Sequence, residues 1–303
     1  MPASRRTRLL LPVAFLLATL VVGLVTLLVL AHLAPALLRP PAPHHSASVH
    51  WPATGQAAYW VEGTAGPATS GPERPVPIAS VTKMMTALVS LEQAPLADRD
   101  GGFSTTVTAA DLDDTEERRA RGESVVPVQA GDRINERQAL LGLLLPSAGN
   151  LAHLLATRTA PSEAAFVRRM NDRAASLGMR HTSYVDVSGY DPGSQSTAYD
   201  QTLLARAGLQ NPTFAWLVGQ QQAELPTTGL VTTTDQLLGR DGFVGVKTGY
   251  TTSAGGCFVF ASRRLVDGRS RLVVGAVLGQ RERDPTLAAF RATEALVDSL
   301  GPP

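Results

Sequence analysis

The chain has 303 residues, 27 lysines and arginines against 26 aspartates and glutamates, and a formal charge of +1. With 44% hydrophobic, 17% charged and 5% aromatic residues it has the material for a core and neither a basic stripe nor a stacking platform, which excludes disorder and nucleic-acid partners. The single cysteine, Cys257, excludes an intramolecular disulfide, and no Cys/His cluster has the spacing of a structural metal site, so no metal or cofactor is expected. Only two of the basic residues are lysines, Lys83 and Lys247.

In chain order, residues 1–38 read as a cytoplasmic tip and a transmembrane signal-anchor. Leu9 to Ala31 is a run of 23 residues without a charge, preceded by Arg5, Arg6 and Arg8. As a helix it spans roughly 35 Å, enough to cross a hydrocarbon core of about 30 Å. Arginines before the run and none directly after it predict a cytoplasmic N-terminus and an extracytoplasmic remainder, a single-pass protein of the cell membrane. The Ala-rich stretch 31–36 offers cleavage as the alternative. Residues 39–56, rich in Pro, Ser and His, read as a solvated stalk.

The folded part is expected over 57–300. AAYWVE (57–62) reads as a first strand, and SVTKMMTALVSLE from Ser80 as a nearly buried helix, with Val81, Met84, Met85, Leu88 and Val89 at helical spacing. Four helices follow, over 135–145, 147–158, 162–178 and 197–209, the first three each with a capping residue and the third with Gly178 as its terminating glycine. The pattern then turns to strands, 243–251, 255–264 and 270–280, the last two joined across Asp267-Gly268, and a helix over 284–300 closes the chain. Strands at both ends and helices between predict an α/β-type fold: a mainly antiparallel sheet flanked by helices, with an inserted all-helical lobe at about 105–235 and a cleft between them.

Lys83 follows Ser80 by three residues, so on a helix the two side chains share a face. A serine hydroxyl needs a base to become a nucleophile, and a desolvated lysine loses its proton where arginine does not. Lys247 opens Lys247-Thr248-Gly249 on a Val- and Gly-rich strand, where glycine lets a substrate lie against the backbone and threonine supplies a hydroxyl. From 19 Ser, 28 Thr and 27 Gly, the chance that the only two lysines open or close these two motifs by accident is about one in a thousand. Incidental surface lysines are thereby disfavoured.

S-x-x-K and K-T-G are signature motifs of penicillin-binding proteins and class A β-lactamases. Together with LLLPSAGNLAHLLA (143–156), AAFVRRMNDRAASLGM (164–179) and SGYDPGSQSTAYD (188–200), they make the chain resemble the serine D-Ala-D-Ala carboxypeptidases, the low-molecular-weight penicillin-binding proteins. The resemblance implies a β-lactamase/transpeptidase-like fold, peptidoglycan stem peptides and β-lactams as partners, and an acyl-enzyme route without a cofactor. It assigns Ser80 as nucleophile, Lys83 as proton acceptor and Ser147 as proton relay to the leaving amine. Lys247 and Thr248 would hold the substrate carboxylate, with Arg281 as a further candidate. The N–H groups of Ser80 and Tyr250, beside Gly249, would form the oxyanion hole.

One motif departs from the family pattern. S-x-N aligned at Ser147 leaves Gly149 where an amide belongs, and Asn150 stands one position late, about 100° around a helix. Either the enzyme acylates with attenuated efficiency or Asn150 compensates. Two other functions remain open: a non-catalytic or weakly acylating penicillin- and peptidoglycan-binding protein, and a β-lactamase, for which no E-x-x-x-N loop stands between the second and third motifs. His153 and His181 are read as satisfying local hydrogen bonds, and Cys257 as a small core residue.

Overall fold

The computed structural model describes residues 49–96 and 101–303. The anchor expected at 9–31 lies outside them, and among the described residues no helix is long and apolar enough to cross a membrane. The elements begin with β1 (Gln56–Val61), β2 (Ala68–Thr69) and β3 (Val76–Pro77), then a 3-10 turn (Ala79–Thr82) that runs into α1 (Lys83–Gln93). The middle of the chain holds β4 (Ser104–Thr106), α2 (Ala109–Ala120), β5 (Arg133–Asn135), α3 (Glu136–Leu144), α4 (Gly149–Thr159) and α5 (Glu163–Ser176). It continues through β6 (Gln195–Ser196), α6 (Ala198–Leu209), α7 (Pro212–Val218), β7 (Gln222–Leu225) and β8 (Gly229–Thr232). β9 (Phe243–Thr251), β10 (Gly255–Val266), β11 (Arg269–Gln280) and α8 (Pro285–Asp298) complete it.

The main sheet has five antiparallel strands in the order β2-β1-β11-β10-β9. Its assembly from both ends of the chain, expected from the order of the elements, is explicit in the register: Ala57 faces Val277, and Val61 faces Val273. β10 and β11 turn through Asp267 and Gly268, both at positive φ, as the Asp-Gly pair requires. The strands alternate with period two between two apolar clusters. Ala58, Val259, Ala261, Val274 and Ala276 face the cluster shared with α1 and the other middle helices, while Ala57, Phe258, Phe260, Val273 and Val277 face α8. Both faces of the sheet are therefore buried, and Cys257 lies on the first of them as a buried free thiol, with burial pushing its pKa up to about 11.

Local chemistry explains most helix boundaries. Asn135 and Gln138 form a reciprocal capping box on α3, Ser162 caps α5 through Ala165 N–H, and Gly178 at φ 76° ends α5. Three expectations shift. Ser147 does not cap α4: the helix starts at Gly149, and Ser147 sits in the preceding loop at φ 67°. Ser80 lies on the 3-10 turn, with Ala79 at φ 48°, because β9 packs hard against that turn. Residues 49–56 belong to the folded unit: Val49 and Trp51 pack on the α8-side cluster, Trp51 against Tyr59 at 5.4 Å, so apolar side chains pull the end of the expected stalk onto the sheet.

The α8 face is held by aromatic packing, Phe290 meeting Phe258 edge-on at 5.0 Å. Phe290→Ala is expected to destabilise the fold by about 3–5 kcal/mol, read from equilibrium urea unfolding.

Candidate active site

Lys83 Nζ lies 2.8 Å from Ser80 Oγ and donates a 2.8 Å bond to the carbonyl of Ser188. Two glycines make this geometry feasible. A Cβ on Gly249 would lie 3.0 Å from Ile78 O and 3.2 Å from Ser80 N, tighter than most side chains sit, so glycine lets β9 run beside the Ser80 backbone without displacing it. A Cβ on Gly189 would strike Ala79 O at 1.8 Å, and Gly189 itself adopts φ 77°. Ser80 and Lys83 open into a cleft of about 620 Å³, also lined by Arg121, Glu123, Ser124, Tyr190, Tyr250 and Thr251.

Lys83 is only 1% exposed. Burial pushes its pKa down to about 8, against the attraction of Glu123 and then Asp186, with Arg118 adding to the lowering. Asp186 organises the loop that presents Ser188 O: its carboxylate accepts from the N–H groups of Gly189 and Tyr190 and from the hydroxyls of Ser188 and Ser194. An ammonium that sheds its proton near neutrality, bonded to a serine hydroxyl, is the arrangement that activates a serine nucleophile.

Lys247 and Thr248 lie on β9, buried behind the open part of the cleft. Lys247 Nζ donates to Thr248 O at 3.0 Å, and burial, reinforced by the charge on Lys83 and opposed by Asp235, holds its pKa well below the lysine range. Asp235 is the counterpart, its pKa pushed up to about 6 by burial. Thr248 Oγ1 shares a 2.6 Å bond with Thr234 Oγ1, and Thr234 N–H donates to Leu145 O, which ties β9 to the loop carrying Ser147. Ser147 Oγ is buried without a hydrogen-bond partner among the described residues, on strained backbone. Tyr250, by contrast, is 52% exposed at the cleft rim. Arg281 bonds the carbonyls of Thr252 and Ser253, bracing the turn after β9.

Asn150 points away from the cleft. Its amide donates to Val126 O at 2.9 Å and Thr115 Oγ1 at 3.2 Å and accepts from Val126 N–H at 3.2 Å. The space beside Gly149 is filled instead by Glu123, whose Oε1 lies 1.9 Å from where a Cβ on Gly149 would be. Burial works against the Glu123 carboxylate, but Arg118, then Ser188, Arg121 and Lys83, outweigh it and hold its pKa below the usual range. Sequence reading missed Glu123, Arg118, Asp186, Thr234 and Asp235, which lie outside the motifs. The one available signal was the glycine in the second motif, a missing side chain that asks what fills its place. His153 behaves as expected, bonding Glu163 at 2.6 Å, while the His181 ring lies 3.7 Å from Glu73, in a group with Asp200 whose ligand atoms fall within 4.8 Å of one another.

Residues 63–281 match the family model of D-alanyl-D-alanine carboxypeptidases. The D-alanyl-D-alanine carboxypeptidase DacB2 of Mycobacterium tuberculosis is 35% identical over 218 residues, covering 69% of each chain. A D-alanyl-D-alanine carboxypeptidase of a Streptomyces species is 32% identical over 236 residues, 68% of this chain and 75% of that one. The crystal structure of a Streptomyces DD-transpeptidase superposes with a TM-score of 0.69 at 27% identity, covering 80% of this chain and 95% of that one, which makes the fold β-lactamase/transpeptidase-like. With the serine and lysine of S-x-x-K in hydrogen-bond contact beside K-T-G, the chain belongs to the D-alanyl-D-alanine carboxypeptidase family of serine peptidases.

Proposed function

We propose that the protein removes the terminal D-Ala from peptidoglycan stem peptides through an acyl-enzyme on Ser80, working outside the cell membrane on an N-terminal anchor. The observation that carries this is the 2.8 Å contact between Ser80 Oγ and a buried Lys83 whose pKa is about 8. Neutral Lys83 takes the Oγ proton as Ser80 attacks the carbonyl carbon of the penultimate D-Ala. The C–N bond to the last D-Ala breaks, and its amine leaves with a proton relayed by Ser147. Water then attacks the ester, its proton returns to Ser80, and the shortened stem departs as a carboxylate. Lys247 and Thr248 serve the terminal carboxylate, and the N–H groups of Ser80 and Tyr250 the developing oxyanion, each donor worth about 2.7–4 kcal/mol in such sites. β-Lactams enter the same cleft and acylate Ser80. The amide missing at position 149 makes acylation slower than in a site that carries one.

Release of D-Ala from diacetyl-Lys-D-Ala-D-Ala, followed by chromatography, is expected for the wild type and to fall at least about 10³-fold in Ser80→Ala; equal inactivity of the two would sink the assignment. A wild type that forms a penicilloyl-enzyme and releases no D-Ala would favour the weakly acylating binding protein, and rapid penicillin turnover a β-lactamase.

The pH dependence follows from Lys83. Its pKa is lowered, so the neutral base is present above about 8 and lost as pH falls. The second-order rate of penicillin acylation should therefore drop about tenfold per pH unit below that point, measured by stopped-flow fluorescence.

For the anchor, the charge-free run Leu9 to Ala31 behind three arginines is the support. Full-length protein is expected to stay with the membrane pellet after an alkaline carbonate wash, and a chain lacking residues 1–46 to leave it; full-length protein in the supernatant would count against anchoring.

A further inference from the structure

We propose that Glu123 is a positioning residue of this active site: its carboxylate occupies the space that a side chain at Gly149 would fill and, without touching Lys83, supplies the charge that favours its ammonium where the absent second-motif amide would have bonded it. The inference rests on the catalytic reading of Ser80 and Lys83. A Cβ at Gly149 would lie 1.9 Å from Glu123 Oε1, 2.5 Å from Cδ and 3.0 Å from Cγ, so the glycine and the glutamate fit together and an asparagine at 149 excludes the observed carboxylate position. Glu123 is buried and lines the same cleft as Ser80 and Lys83.

The displaced amide helps to deliver the replacement. Asn150 clamps the backbone of Val126 through both its N–H and its C=O, and Gly149 N–H donates to Ser124 O at 2.7 Å. The segment after Glu123 is thus tied to the start of α4, which fixes where the carboxylate can reach. Arg118 and Arg121 pair with the carboxylate, and Arg118 is itself shared with Asp114 and Glu163.

A carboxylate is not an amide: it accepts hydrogen bonds and carries charge, and it has no N–H to offer a substrate carbonyl. Its contribution is therefore to the lysine. When the proton of Ser80 Oγ passes to Lys83 Nζ, an ammonium appears in a buried site, and Glu123 with Asp186 supplies the negative charge that stabilises it, against burial and Arg118.

Lys83 and Lys247 are the only lysines in the chain, so full-length protein labelled with [15N]lysine gives two side-chain signals, assigned with Lys83→Arg. In Glu123→Gln the Lys83 signal and the acid limb of penicillin acylation should both move down by about one pH unit. In the second arm, Glu123→Ala and Gly149→Asn should each lower the acylation rate constant at least about tenfold, and the double variant should recover to the wild-type rate or above, with thermal midpoints showing that all three fold. An unmoved Lys83 titration in Glu123→Gln, or a double variant no faster than Gly149→Asn, overturns the proposal. A wild type that penicillin does not acylate overturns the carboxypeptidase reading instead, and the lysine titration then decides this one alone.

Discussion

The structure is arranged around one costly placement, a lysine amine almost without solvent. Lys83 Nζ reaches the hydroxyl of Ser80 and the carbonyl of Ser188, and its charge is opposed by burial and by Arg118 while Glu123 and Asp186 favour it. These influences leave the amine poised between its two protonation states, which a general base requires. The Ser188 carbonyl is in turn fixed by the Asp186 carboxylate, and the cleft wall opposite by the pairing of Glu123 with Arg118 and Arg121. The polar network exists to make one buried cation tolerable without pinning its proton.

The sheet supplies the rigidity that this balance needs. β9 approaches the Ser80 turn closely where Gly249 has no side chain to interpose, and it is held there by its pairing with β10 from Gly245 to Thr251. Tyr190 joins the two walls of the cleft: its hydroxyl donates to Arg121 O, and the Arg121 guanidinium sits 4.9 Å over its ring. Ser80, Lys83 and β9 are thus set by backbone contacts and buried bonds more than by mobile surface side chains.

Much of this was legible from residue order. The sheet closed from both chain ends, the strands 243–251 and 270–280 and the pairing of Ser80 with Lys83 follow from period, turn residues and motif spacing, which are local signals. What was hidden depends on contacts between distant segments. Helix α2, with Thr108 capping through Asp111, was not anticipated because its composition is mostly charged and shows no apolar face beyond its few buried positions. The position of Asn150 was decided by Val126 and Thr115, 24 and 35 residues earlier in the chain, and no spacing rule within the second motif carries that information. Ser147 read as a helix cap because its side chain suits one, whereas the chain turns through positive φ there and starts the helix two residues later.

The pairing of β1 with β11 sets an order of events during biosynthesis. Ala57 must wait for Val277, and Ser80 for Gly249, before either has its native neighbour. Closing loops of that length makes the fold one of high contact order, and such topologies form slowly. Ser80 therefore leaves the ribosome early with Lys83 three residues behind it, and gains its neighbouring strand and its cleft last. A cleft whose wall comes from the late part of the chain is incomplete in any product that ends before β9, so emergence of that strand becomes a condition for its chemistry.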